Sequence, residues 1–562
     1  MSTCIIPMRH QSRFILLYMG KLRFTLTNII FWIVLLLSCL LSENFAVLNN
    51  DPLKGFAVDS AFILTISIIV MLVLYYFLEH KKNKLTFDKV LLPALLIAGL
   101  LLIVNVFRQG SRVFPNYDNT GTFSISFSVQ DRVMASLQVV VWLAVMYAAV
   151  FVYNRFRLNK ESYRWVGKIY LIALLLFCII DLFLEGNQIA AILNGTSGGS
   201  GLAFLMVNPN IWSLLLFSGF LTAVLLSYKR FRWYYYLLMI YLFFHNLLTS
   251  CSTTTFIEIV VFVIYSLYEI FSHISEDKKL AVKRLISFFS VIAGIAVVFA
   301  IFVLTKVPMF VNLWSFITGS IFQKDFVTMT GRSSIWIKIF ELLKGNPLDL
   351  IFGLGHITGN KILVEYSTTF RTAHNAFMEV VLRYGLLGAC IYIGIIGLAV
   401  FGLIKHILKK NYRFAFIYGI CFIAILAHSM TESTTLFTPN VGGLYFSFVF
   451  VLPIMNIIHE KRFNELKEDV VTANVEKRKV NPAVYMYAIA LLAACIVIAK
   501  ILNLALSLDT FSTILVALVF YMISLFILSL LRKNNDNNPF NIIADNAFCY
   551  YQNLVRKEND NG

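Results

Sequence analysis

Two short stretches of the chain combine residue types able to grip an anion and move a proton. Thr330-Gly331-Arg332-Ser333 precedes a run in which Ile335, Trp336, Ile339, Leu342 and Leu343 recur at helical spacing before Gly345-Asn346-Pro347. The pattern predicts a helix over about 334–344, capped by Thr330 or Ser333, with its stripe along a membrane surface or plugging a bundle mouth. Arg332 would stand where free amides and the helix dipole already favour an anion. Its planar fork can give a pyrophosphate two parallel charge-assisted bonds. A surface arginine resting on lipid headgroups accounts for the same residue. Further along, Thr372-Ala373-His374-Asn375 opens a second predicted helix near Ala376, capped by Thr372 or Asn375. An ordinary imidazole, with a pKa of about 6.5, suits removal of a proton from a hydroxyl. A histidine in a polar loop also serves purely structural ends. Glu379 and Arg383 form an i,i+4 pair in the favourable order and read as structural. The Gly353-Leu354-Gly355-His356 turn is too short, and wrongly placed, for a dinucleotide fingerprint.

The rest of the chain must hold these stretches in place, and it is overwhelmingly apolar. Of 562 residues, 59% are hydrophobic and 14% charged, with a mean hydropathy of +0.78. A soluble domain carries about 25% charged residues, so the composition is that of a polytopic membrane protein. The net charge of +17 does not indicate nucleic acid, because Lys and Arg collect in short segments between apolar runs. The eight cysteines sit mostly inside those runs and form no CxxC pair, which argues against a zinc site or a disulfide framework. Leu36-Leu37-Ser38-Cys39 reads as the end of a first, uncleaved anchor helix.

Counting runs of about 20 apolar residues gives about fourteen spans. They fall near 25–41, 57–78, 89–107, 133–153, 165–184, 203–227, 233–250, 254–271, 285–305, 383–404, 414–430, 440–458, 483–506 and 511–531. Basic residues alternate from loop to loop, which predicts cytoplasmic N- and C-termini. The fold expected is therefore an all-α polytopic membrane protein with one large extracytoplasmic loop, about 306–383. Residues 1–164 supply N-terminal spans and 165–460 a core containing that loop. A cytoplasmic linker follows at 461–482, then two further spans over 483–531 and a cytoplasmic tail at 532–562. Two loops break the charge rule by keeping basic residues on the far side: 108–132, with Arg108, Arg112 and Arg132, and the large loop itself. Asp181, Glu185, Glu258 and Glu432 fall near the same ends of their spans and are expected to rim an outward cavity. Walker, HExxH and paired-aspartate motifs are missing, so no metal or cofactor is expected, and basic side chains would have to stabilise a departing pyrophosphate.

Together these pieces resemble the O-antigen ligase and Wzy-type polysaccharide polymerase family over roughly 165–460. The resemblance rests on Gly331-Arg332 with Trp336, on Gly353 and Gly355, and on Ala373-His374-Asn375 followed by Gly385 and Gly388. Glu185-Gly186-Asn187-Gln188 leading to Asn208-Pro209-Asn210, and Thr431-Glu432-Ser433, extend it on either side. It implies a GT-C-like, metal-independent, inverting glycosyltransferase on the outer face of the bacterial cytoplasmic membrane. Its donor and acceptor would be oligosaccharides on undecaprenyl pyrophosphate, and its partners the bilayer and other polysaccharide-assembly membrane proteins, with no nucleic acid. Arg332 would hold the pyrophosphate and His374 would activate the acceptor hydroxyl. Asn375 would fix the helix start, Trp336 would contact substrate, and Glu432 would line the acceptor side. Where the family often carries Ser-Arg, this chain reads Ser252-Thr253-Thr254, leaving Arg371, Arg112 or Arg132 to replace the missing arginine. A polymerase of repeat units is the leading expectation; a ligase of the same chemistry and a lipid-linked oligosaccharide flippase are the alternatives.

Overall fold

The computed structural model describes residues 100, 112–126, 160–197, 201–203, 209–227, 233–272, 278–321, 332–366, 372–434, 436, 443–459 and 494–495. The spans expected before residue 160 and after 482 lie outside the described residues, apart from isolated positions. So do Arg132, Arg371, the 461–482 linker and the C-terminal tail.

Helices occupy each interval between 165 and 458 where a span is expected. In chain order they are α1 (Lys160–Leu184), α2 (Gly186–Leu193), α3 (Pro209–Leu226), α4 (Trp233–Leu247), α5 (Ser252–Ser272), α6 (Lys278–Leu304) and α7 (Pro308–Ile321). There follow α8 (Arg332–Lys344), α9 (Pro347–Phe352), α10 (His356–Tyr366), α11 (Ala376–Leu408) and α12 (Tyr412–Ser429). After α12 come α13 (Gly443–Phe446), continued as a π turn through Val451, then α14 (Leu452–Met455) and a 3-10 turn over Asn456–His459. Among the described residues, four helices are long and apolar enough to cross a membrane: α3, α5, α11 and α12. The number becomes six if α1 with α2, and α6 with α7, each count as one bent span, the second pair turning by 110°.

The apolar pattern explains which helix lies at the centre. α3 (PNIWSLLLFSGFLTAVLL) has no single polar face, and its Ser213, Ser218 and Thr222 side chains meet Asn246, Tyr170 and Tyr445, which draws the helix inside the protein rather than toward lipid. Every residue of it from Trp212 to Leu226 is buried, with α1, α4, α5 and α12 packed around it. By contrast α6 leaves Ile295, Val297, Val298 and Ile301 half exposed, as a lipid-facing helix would.

A second, smaller core caps one end of this bundle. Ile335, Ile339, Leu342 and Leu343 of α8 pack with Leu354, with Ile362 and Leu363 of α10, and with Met378, Val381 and Leu382 of α11. The α8 stripe thus faces other protein rather than only a membrane surface. An antiparallel hairpin completes the cap, β1 (Arg112–Pro115) pairing with β2 (Thr122–Ile125). This departs from the all-helical expectation. Its cause is local: Asn116 N–H donates to the Gly121 carbonyl at 2.8 Å, Asn119 takes a left-handed φ of 59°, and Asp118 accepts from Thr120 N–H at 3.1 Å. Phe114 and Ile125 then bury the inner face of the hairpin in the cap core.

One backbone clasp joins the cap to the bundle. α11 breaks at Gly385 (φ 66°, ψ −161°), freeing two carbonyls of its preceding turn. Leu354 N–H bonds the Leu382 carbonyl at 2.9 Å and Gly355 N–H bonds that of Arg383 at 3.0 Å. Gly353 (φ 76°) lies so close that a Cβ on it would stand 2.4 Å from the backbone of Arg383 and Tyr384. A side chain is excluded there twice over, by φ and by contact. The two glycine motifs of the sequence are therefore the two halves of one joint.

Candidate functional site

The site is assembled around one carboxylate, that of Glu432. α12 stops at Ser429, and the next turn folds back so that Thr431 N–H and Glu432 N–H both bond the His428 carbonyl, at 3.0 and 2.9 Å. This aims Glu432 at the cap. Its Oε2 meets His374 Nδ1 at 2.9 Å, while Oε1 accepts from Asn210 Nδ2 of α3 at 3.2 Å and from Arg332 NH2 of α8 at 3.4 Å. Arg332 NH1 also donates to the Thr431 carbonyl, and Arg332 Nε makes no hydrogen bond among the described residues. Residues more than 200 positions apart in sequence thus converge on one group.

His374 is held with unusual care. Its φ is +46°, in the left-handed region, where a non-glycine residue costs about 1–3 kcal/mol unless its surroundings fix it. The preceding residue is fixed through both of its peptide groups: Ala373 N–H donates to Glu379 Oε2 at 2.7 Å, and the Ala373 carbonyl accepts from Trp336 Nε1 at 2.7 Å. The following residue is fixed as well. Asn375 Oδ1 caps α11 by accepting from Met378 N–H at 3.1 Å, and its Nδ2 donates to the Met430 carbonyl at 3.1 Å.

The electrostatics define proton positions. Burial pushes the Glu432 carboxyl up, but the hydrogen bond and charge of His374, with the charges of Arg332 and His428, outweigh it and leave its pKa below the ordinary value. An ionised carboxylate can only accept, so His374 Nδ1 carries the ring proton and, in the neutral ring, Nε2 is the basic nitrogen. The arrangement can do two things: take a proton at an imidazole whose resulting charge is stabilised by Glu432, and hold an anion on a guanidinium beside it.

The expected site residues divide accordingly. His374, Arg332, Asn375, Trp336 and Glu432 come together. Asn375 is the cap the sequence predicts, whereas Thr372 is not needed for it. Trp336 spends its indole N–H on the Ala373 carbonyl, and Glu432 bridges His374 and Arg332. Arg112 goes elsewhere. Its guanidinium meets both oxygens of Asp349 in α9, at 3.0 and 2.6 Å, pinning the hairpin to the cap. Arg371 and Arg132 lie outside the described residues.

The rim of acids expected from the sequence is only partly such a rim. Asp181 and Glu258 are fully buried, and Asp181 Oδ2 lies 2.9 Å from Trp212 Nε1 and 2.6 Å from His245 Nε2, tying α1, α3 and α4 together. Two residues that the sequence reading names without giving them a site role belong to the site, Asn210 and Glu379. Asn210 follows a helix-starting proline, and Glu379 lies in the first turn after the Asn375 cap, where an acid can reach back to a free amide; both positions carried that signal. Among the described residues, no three His, Cys, Asp or Glu side chains gather as metal ligands. Comparison with family models, curated proteins and solved structures gives no match to this chain.

Proposed function

We propose that this protein is a membrane glycosyltransferase that polymerises oligosaccharide repeat units carried on undecaprenyl pyrophosphate. It would be GT-C-like and work at the outer face of the bacterial cytoplasmic membrane. The observation that carries the reading is the shared carboxylate: Glu432 brings His374 and Arg332 onto one group at 2.9 and 3.4 Å, so a base and an anion anchor stand side by side. His374 Nε2 takes the proton of the acceptor sugar hydroxyl as its oxygen bonds to the anomeric carbon of the donor. The bond from that carbon to the pyrophosphate breaks with inversion, and its electron pair leaves on the phosphate oxygen. Arg332 receives the growing negative charge through N–H groups not already given to Thr431 and Glu432. Glu432 stabilises the imidazolium, as the carboxylate of a catalytic triad does behind its histidine.

The direct test is purified protein supplied with lipid-pyrophosphate repeat units and scored for ladders of product, with and without chelator. A ladder that survives chelation is expected. Consumption of donor without any lengthened product would refute polymerisation.

A further inference from the structure

We infer that Glu379 is the positioning residue of the His374–Glu432 pair, an inference that rests on the reading just given. One oxygen of this carboxylate, Oε2, accepts Ala373 N–H at 2.7 Å and lies 3.4 Å from Ser433 Oγ. Ala373 immediately precedes His374 and Ser433 immediately follows Glu432. A single atom therefore ties together the two chain segments that carry the pair, although they are far apart in sequence.

The i,i+4 spacing to Arg383 suggests only a helix-surface ion pair. The environment says more. Glu379 is 1% exposed, and Arg383 pairs with it from the last full turn before the Gly385 break. The Arg383 carbonyl in turn accepts Gly355 N–H at 3.0 Å. The carboxylate thus connects the site to the backbone clasp, where Gly353 and Gly385 leave no room for a side chain. It also opposes the left-handed strain at His374: with the Ala373 N–H released, Ala373 keeps an anchor on its carbonyl side only, and the turn can relax toward an ordinary φ at His374 and swing the imidazole off Glu432. Trp336 holds the next peptide group, through the Ala373 carbonyl, and its single N–H is spent there, so it makes no tie to the Glu432 segment.

The test uses the full-length purified protein with Glu379→Ala, Glu379→Gln and, as a surface control, Glu341→Gln. Hydrogen exchange of the peptide covering 372–378 is read alongside kcat and KM for donor and acceptor. In Glu379→Ala, exchange at Ala373 should rise by about tenfold or more as its bond is lost. A displacement of about 1 Å in the imidazole should lower kcat by about 100-fold, with both KM values within about threefold of wild type. Glu379→Gln, whose amide oxygen still accepts from Ala373, should recover about tenfold of that loss, and the surface control should match wild type in every readout.

Unchanged exchange at Ala373, unchanged kcat, or a loss carried entirely by KM would overturn the inference. If the alanine variant does not fold, the glutamine variant carries the test, and wild-type exchange together with wild-type kcat in it overturns the inference. A wild-type protein that makes no polymer defeats the proposed function instead, and the exchange arm still decides whether Glu379 holds the loop.

Discussion

Replacing Glu432 by glutamine separates two effects that a general loss of structure would merge. The amide keeps the shape and one acceptor oxygen but removes the charge. His374 then loses a charge-assisted bond at 2.9 Å, an interaction of about 1.5–3 kcal/mol. That bond matters most when the imidazole has taken the proton, so the loss falls on the transition state, at about 10- to 100-fold in kcat. Arg332 responds in the opposite sense. In the resting site Glu432 competes with any incoming anion for this guanidinium, across 3.4 Å and with both side chains about 15–17% exposed. A pair of that length and exposure is worth at most about 1 kcal/mol, so its removal should tighten donor binding by up to about fivefold. Steady-state kinetics on purified protein, varying donor at saturating acceptor, should therefore give a lower kcat with a lower or unchanged donor KM. Wild-type kcat, or a donor KM raised more than about tenfold, would refute the bridging role.

Three further outcomes follow from the same geometry. Gly353→Ala should unfold the cap, because the new Cβ would lie 2.4 Å from main-chain atoms that cannot move aside as a flexible side chain can; protease sensitivity of the 332–366 region checks this, and a wild-type digestion pattern would contradict it. Arg112→Ala should destabilise the hairpin by about 1–3 kcal/mol by removing the two guanidinium bonds to the buried Asp349 carboxylate, discounted from a fully buried pair because Arg112 is 24% exposed; a lowered thermal midpoint with kcat retained is the expected pattern, and an unchanged midpoint would contradict it. On acidification, the stability contributed by Glu432 is fully present above the ordinary carboxylate pKa and lost as pH falls through its depressed folded value. Wild type should therefore lose more thermal stability than Glu432→Gln between about pH 5 and 3, and parallel curves would contradict the shift.

Much of the frame was legible because helical periodicity and apolar runs are local signals. The α8 stripe, the Asn375 cap and the helices between 165 and 458 all announce themselves within a few residues. What the sequence did not show was pairing over distance. Gly353 reads as part of a turn and Gly385 as a glycine at the start of a span, yet their meaning lies in each other, since neither gives a local cue that two backbones must touch. The hairpin at 112–125 was hidden for another reason: its strands are four residues each, too short for an alternation pattern to stand out from an aromatic-rich belt. Asp181 and Glu258 looked like rim acids because position along a helix was legible while helix rotation was not. Glu379 was discounted for having a plausible local partner in Arg383, which concealed its longer reach to Ala373 and Ser433.

The most direct check of the central claim is product length from Arg332→Lys and His374→Ala protein, each purified and given lipid-pyrophosphate repeat units beside wild type. Lysine keeps the charge but lacks the fork, and alanine removes the base but leaves the anion anchor. The account predicts ladders from wild type alone, with donor still bound by His374→Ala and both variants folded. Ladders of near-normal length from either variant would contradict it.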